Sequence, residues 1–515
     1  MEASRFASQA TFGLPFEDLE PLVRQGQDAW LEEQFALPVG DHRSIVDDLV
    51  ARRDAGEFAE FEQDIEFLIF FRRLAWWHRT ITSEDVLRQR VAFALSEIFV
   101  VSDNVDALII NPYALSTYYD MLLNNAFGNF RDLLRDVSLH PTMGVYLSHV
   151  NNRKADPIAN TFPDENYARE VMQLFSIGLF ELNVDGTLIT DTDGQPVPTY
   201  SNAEIREFAK IFTGLSYGPP NQSFANPFPS FQNPMVMFDA WHEPGEKRLL
   251  TGTVVPAGQT GDQDIEAAIE NLFNHPNVGP FIGKQLIQRL VTSNPSPAYV
   301  ERVARAFNDD TTGLRGDMQA VIRAVLLDPE ATAAPGTLTT FGKLREPVVR
   351  YASLLRQFGA TSDDGFIANI GFFLQSITRQ HPLSSPSVFN FFLPAHSPAG
   401  EIAAASLVAP EFQITTSSSI VGFSNLIDAV VLGGFVTDAP EPFAPVSLSL
   451  DEYIALAADV DALVARLDIM LTHGSLEPAT RAAILDVLDD IDDPAFRLQT
   501  ALYMFLTAAD YAVRI

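Results

Sequence analysis

Between Thr161 and Leu182 the chain reads TFPDENYAREVMQLFSIGLFEL, where Glu165, Arg169 and Gln173 recur every four residues and Asn166, Glu170 and Gln173 form an adjacent row. On a helix such spacing gathers the polar groups on one face and leaves Val171, Leu174 and Phe175 for packing. Two carboxylates flanking an arginine suit proton transfer, a hard cation, or an ion-pair network that locks neighbouring helices. A second polar knot, Trp241-His242-Glu243-Pro244-Gly245-Glu246-Lys247, follows a loop-rich interval, with Asp239 just upstream. Pro244-Gly245 forces a turn there, so His242, Glu243, Glu246 and Lys247 are expected to point into one small region. An imidazole beside carboxylates suits metal binding or proton transfer, but the spacing matches no zinc-peptidase helix. The candidate polar cleft is therefore Glu165, Asn166, Arg169, Glu170, His242, Glu246 and Lys247, with His140, His149, Asn152 and Tyr167 as secondary candidates. Against it stands the plainer reading of structural salt bridges, helix caps and a solvated loop.

Arg169 and Lys247 lie in the same motifs as the acids and would repel a divalent ion while neutralising the carboxylates themselves. No tightly bound metal and no cofactor are expected. Glu170→Ala is expected to cost about 3–5 kcal/mol if it strands Arg169 as an unpaired buried charge. The sequence holds no Gly-x-Ser-x-Gly elbow, Walker loop, dinucleotide glycine fingerprint or CxxCH haem site.

The elements that must position these groups are mainly helical. Apolar residues recur at three- and four-residue spacing over Glu17–Phe35, Phe61–Arg79, Ser83–Val100 and Tyr113–Asn124, and again through the second half. Thr161-x-x-Asp164 is expected to cap the polar helix, Ser83 to cap the segment after it, and Ser201-x-x-Glu204 to form a capping box. Asp185-Gly186 and Asp193-Gly194 mark turns of a small β-hairpin insertion near 183–200. Asp191-x-Asp193-Gly194 lacks the later ligands of a calcium loop. The fold class is thus mainly α, a large multi-helical domain with that insertion and irregular loops such as Tyr217–Pro234. Residues 1–432 are expected as the main domain, 433–447 as a Pro-rich linker, and 448–515 as C-terminal helices docked on it.

At 515 residues the chain can bury a substantial core without staples. Its 67 acidic against 34 basic side chains give a net charge of −33, which disfavours nucleic acid and anionic lipid. The absence of cysteine excludes disulfides and thiolate chemistry. Apolar runs such as Phe67–Phe71 are soon broken by arginines, so no integral membrane segment and a soluble protein are expected.

Several segments together resemble the bacterial family called domain of unknown function 1800. They are Arg5-Phe6-x4-Thr11-Phe12-Gly13, Leu87-Arg88-Gln89-Arg90-Val91-Ala92-Phe93-Ala94-Leu95-Ser96, Pro163-Asp164-Glu165-Asn166-Tyr167-Ala168-Arg169-Glu170, His242-x-x-Gly245-Glu246-Lys247, Gly342-Lys343-Leu344-Arg345-Glu346-Pro347 and Ser385–Phe392. The resemblance covers nearly the whole chain, in order. It implies a largely helical, often exported protein whose gene often neighbours that of a sulfatase-like protein of the family domain of unknown function 1501. Many members carry Asp where this chain has Glu243, and Glu where it has Gln173, which argues against a strict metal-ligand role for either. The implied location is periplasmic or secreted, with the signal peptide absent from this chain; the alternative is cytoplasmic. The expected function is a non-catalytic partner or assembly and maturation factor for the sulfatase-like neighbour. The alternative is an extracytoplasmic, hydrolase-like enzyme acting on a polymer or surface substrate through the Glu/Arg/His cleft.

Overall fold

A computed structural model of the protein describes residues 1–58, 64–220, 223–225 and 229–515. The first residues of the expected helix Phe61–Arg79 and part of the loop Tyr217–Pro234 lie outside them. Among the described residues there are 25 α-helices and four antiparallel pairs of two-residue strands, so the fold is mainly α. No helix of the described residues is long and apolar enough to cross a membrane.

The chain divides into two compact units, Met1–Phe93 with Gln288–Pro295 and Leu326–Ile515, and Ala94–Ile287 with Ser296–Val325. In the first unit the aromatic core explains a sequence motif. Phe12 packs edge-on against Trp76 at 5.8 Å and lies 5.6 Å from Phe93, while Trp77 meets Tyr351 edge-on and donates to His381 Nε2. Thr11 Oγ1 donates to Ala7 O and accepts the Gly13 amide, ending the helix Glu2–Ala10. Gly13 then turns at φ +106°, and a Cβ there would lie 2.7 Å from Ser353 Oγ. The Thr-Phe-Gly signature is a packing device.

The Pro-rich stretch 433–447 lies inside this first unit, where Val446–Ser447 pairs with Thr361–Ser362. The helices Asp451–Leu456, Val460–Leu467 and Pro478–Asp489 pack on Pro494–Thr507, which also packs on Ser417–Val431. Strand Lys343–Leu344 pairs with Val513–Arg514, and the buried Lys343 ammonium pairs with Glu411. Ser83 is not the cap expected of it. The helix begins at Val86, the buried Ser83 hydroxyl has no hydrogen-bond partner among the described residues, and Asp85 instead accepts the Gly40 amide at 3.0 Å and the Gln89 side chain.

In the second unit, the helices Pro112–Asn125, Phe130–Leu139 and Pro141–Tyr146 pack on one another, and Phe130 buries against Phe99 and Phe307. The capping box at Ser201 forms as expected, with Glu204 accepting the Ser201 amide at 2.8 Å. The insertion near 183–200 folds on its two Asp-Gly turns, and the three short segments close on one another. Glu181 N donates to Val197 O, Val197 N to Ile189 O, and Ile189 N to Glu181 O, a ring of three hydrogen bonds. Buried Asn277 clamps the entry to this meander, donating to Ile177 O and Phe180 O at 2.8 Å each and accepting the Leu182 amide at 3.0 Å. Gly178, at φ +74°, lies against Phe281, whose ring a Cβ would meet at 2.8 Å.

Candidate functional site

The polar helix is Asn166–Gln173, shorter at its start than the sequence suggests. Thr161 does not cap it; that residue pairs with Asp156 in an isolated bridge, and Asp164 Oδ1 accepts the Asn166 amide at 2.8 Å. Asn152 sets the approach, because its buried side chain accepts the Asp164 amide at 2.9 Å and donates weakly to the Asp164 carbonyl at 3.5 Å. A proline in this approach lies outside the helix and costs it nothing.

The apolar side of the helix buries Tyr167 in a stack. Its ring lies 3.9 Å from that of His149 at 27°, meets Phe212 edge-on at 4.8 Å, and its hydroxyl bonds Ser138 Oγ at 2.6 Å. His149 Nε2 faces the Ser138 carbonyl at 2.9 Å, so that nitrogen carries the hydrogen. Burial pushes the His149 pKa down to about 4, and the ring is neutral. His140 accepts the Thr142 amide as a helix cap and stands edge-on to Tyr118, and burial pushes its pKa down to about 3. These two histidines and Tyr167 are core groups.

On the other side, Glu165 and Arg169 form an i,i+4 pair at 3.7 Å, each side chain 42% exposed, and Asn166 lies exposed beside them. Such a pair stabilises by well under about 1 kcal/mol. The expected Glu170–Arg169 neutralisation does not occur: Arg169 is open to solvent and bonds Glu165, while Glu170 is buried and its Oε2 has no hydrogen-bond partner among the described residues. Removing Glu170 therefore strands no buried arginine. Burial holds the Glu170 carboxyl above the usual carboxylate range, with Arg169 opposing it only in part. Tyr200 is its neighbour; burial first, and the Glu170 charge second, push the phenol up to about 12. The Tyr200 hydroxyl reaches Gln173 Oε1 at 3.5 Å.

The second knot assembles around a residue that sequence reasoning missed. His242 Nδ1 lies 2.9 Å from Thr213 O and Nε2 lies 2.9 Å from Asp264 Oδ2, so each ring nitrogen faces an oxygen acceptor. Lys247 donates to the same Asp264 oxygen and to Glu243 O, and Thr213 Oγ1 accepts the Glu243 amide. Burial alone would raise the Asp264 carboxyl; hydrogen bonds and charge from His242 and Lys247 outweigh it and hold the group below its ordinary value. Asp264 sits in the first turn of the helix Gly261–Phe273, behind a Thr260–Gln263 capping box, and Asp239 accepts the Gly261 amide. Glu246 does not join; it pairs with Arg248 at 2.8 Å on the surface. His242, Lys247 and Asp264 are only 2%, 1% and 1% exposed. The triad ties together the end of the helix Asn202–Ile211, the strand Lys247–Arg248 and the helix Gly261–Phe273, and is almost wholly buried.

The helix Asn202–Ile211 packs against both the polar helix and the strand Lys247–Arg248. Among the described residues no hydrogen bond or ion pair joins the Glu165 helix to the His242 cluster, and no three His, Asp or Glu side chains converge to hold a metal ion. Arg153 lies 4.8 Å above the Trp241 ring, which stacks on Phe224 at 4.7 Å and 10°.

Fold and site together define a mainly α protein whose most chemistry-like constellation is sealed and whose exposed polar helix is followed by an apolar meander. The chain belongs to the family described as Protein of unknown function (DUF1800), whose model matches residues 5–513. No curated protein and no solved structure matches it.

Proposed function

We propose that this protein is a non-catalytic partner, an assembly or maturation factor, which recognises another protein through the meander that follows the polar helix. The observation that carries this reading is the rigid display of apolar side chains. Leu179, Phe180, Leu188 and Ile189 are 38–49% exposed, on a backbone clamped by Asn277 and closed by its own ring of hydrogen bonds. Exposed apolar groups on a fixed frame lose little entropy on docking, as an interaction surface requires. Phe162 and Ile158, in the segment leading to the polar helix, are exposed as well. The particular partner, a sulfatase-like protein of the family domain of unknown function 1501, and export from a bacterial cell rest on the family resemblance alone. Co-purification from the native host at native abundance tests the reading: the sulfatase-like protein should come down with the wild type and be lost with Phe180→Asp. Recovery of the wild type always alone would overturn it.

The second reading is an enzyme acting on a polymer or surface substrate, and one observation favours it. Glu170, its carboxyl held above the usual carboxylate range by burial, stands beside Tyr200 behind the half-exposed Glu165 and Arg169, where a general acid could act. His242 cannot serve in it while sealed. A hydrolytic activity abolished by Glu170→Gln without loss of stability would favour this reading over the first.

A further inference from the structure

Of the four tryptophans in the chain, Trp30, Trp76 and Trp77 are buried, whereas Trp241, in the second unit, is 38% exposed. It stacks on Phe224 with ring centroids 4.7 Å apart and planes at 10°, and Phe238 meets Phe224 edge-on at 6.0 Å. An exposed indole laid flat against a second ring is a platform with one outer face. Arg153 lies 4.8 Å from the Trp241 centroid and 5.7 Å from that of Phe224. Being close to both rings, it stands at the side of the stack and does not cover the outer face of Trp241.

The backbone beneath the stack is pinned from several directions. Trp241 O accepts the Lys154 amide at 2.9 Å, Trp241 N donates to Phe238 O at 2.8 Å, and Phe238 N donates to Gly214 O at 2.8 Å, next to the paired strands Leu215–Ser216 and Val236–Met237. Asn151 holds the other ring in place: its Oδ1 accepts the Ser216 hydroxyl at 2.6 Å and, at 3.2 Å, the amide of Ala225, the residue after Phe224. A site ordered before its ligand arrives loses little entropy on binding.

The exposed Arg153 guanidinium makes no ion pair and no hydrogen bond among the described residues, so its donors are open to a ligand. A flat apolar face with hydrogen-bond donors at its side matches a molecule with C–H bonds on its face and hydroxyls round its edge. A pyranose joined through equatorial bonds is such a molecule, and its axial C–H bonds meet the negative face of an aromatic ring. Other ligands fit less well. The net charge of −33, with Asp239 and Glu243 each two residues from Trp241, opposes a polyanion. Arg153 beside the stack repels a cation that would otherwise seat on the indole. Proline-rich segments enter grooves lined by aromatic rings, and here the two rings are closed on each other.

We propose that Trp241, Phe224 and Arg153 bind a neutral polysaccharide of equatorially linked pyranoses, one sugar ring lying on the outer face of Trp241 and its hydroxyls accepting from Arg153. Such binding needs neither the partner role nor a catalytic Glu170, so its failure would leave both of those readings standing. Calorimetric titration of the full chain with cellohexaose, mannohexaose and xylohexaose, in separate arms beside hexagalacturonate and decaproline, tests it. At least one of the three neutral oligosaccharides should bind saturably, with hexagalacturonate and decaproline at least tenfold weaker. Because Trp241 is the exposed tryptophan, the same oligosaccharide should also reduce the quenching of tryptophan fluorescence by acrylamide. Trp241→Ala and Arg153→Gln, both at exposed positions, should each weaken the binding at least tenfold with an unchanged circular dichroism spectrum. Absence of saturable binding by all three neutral oligosaccharides, or equal or tighter binding of hexagalacturonate or decaproline, would overturn the proposal. So would oligosaccharide binding that leaves the quenching unchanged, and these comparisons need only the wild type.

Discussion

Glu170 is the residue where burial and charge are least reconciled. Its folded pKa is raised, so its contribution is fully present below the unfolded value near 4.5 and is lost as pH rises through the folded one. Glu170→Gln removes that loss: at pH 7 the variant should melt at or above the wild type, and at pH 4 the difference should vanish. A Glu170→Gln protein clearly less stable at pH 7 would show that the ionised carboxylate is bonded in the folded state. Asp264 behaves in the opposite sense. Its folded pKa is depressed, so its stabilisation is present above the unfolded value near 3.8 and is lost as pH falls through the folded one. Asp264→Ala strands His242 and Lys247 in a sealed site and should cost about 3–5 kcal/mol in denaturant unfolding at pH 7. A cost below about 1 kcal/mol would mean that the triad is not a structural staple.

Among the elements, the meander depends most on one side chain. Asn277→Ala removes three hydrogen bonds to its entry, at roughly 1 kcal/mol each. The amides of Glu181, Ile189 and Val197 should then exchange with solvent much faster, as read by hydrogen exchange, while those of the helix Gly261–Phe273 should change far less. Uniform acceleration in both would mean that the meander is not an independently clamped piece. Its turns were legible in the sequence, since Asp-Gly supplies both the side-chain acceptor and the positive φ: Asp185 accepts the Thr187 amide, and Gly186 stands at +76°. The closed ring of its backbone was not, because hydrogen bonds between segments leave no mark on residue type. The polar helix was legible in its face and not in its start, since Asp164 works from outside the helix, two residues before the amide it accepts. Asp264 was invisible for a physical reason. An acid in the first turn of a helix is ordinarily a dipole partner in solvent, and only the fold brings it to His242, 22 residues earlier in the chain. The condition set on Glu170→Ala, a buried Arg169 left unpaired, is not met, because spacing assigns a face but not the depth of its residues.

At the scale of the whole molecule, the excess of 67 acids over 34 bases opposes compactness. Surface pairs such as Arg131 with Glu266 and Glu270 lose strength in salt, while the mutual repulsion of a net charge of −33 is relieved by it. Screening from about 30 Å at 0.01 M to about 8 Å at 0.15 M should therefore raise the melting temperature. A fall would mean that the ion pairs outweigh the repulsion. The same charge makes an apolar contact the natural means of holding a partner, since it survives salt where a charged one does not. The most direct test is the affinity of the purified sulfatase-like protein for the wild type and for Phe180→Asp at 0.15 M salt, measured calorimetrically. A saturable complex is expected with the wild type, weakened at least tenfold, or about 1.4 kcal/mol, by the substitution. Absence of binding by the wild type, or equal affinity for both proteins, would contradict the partner role.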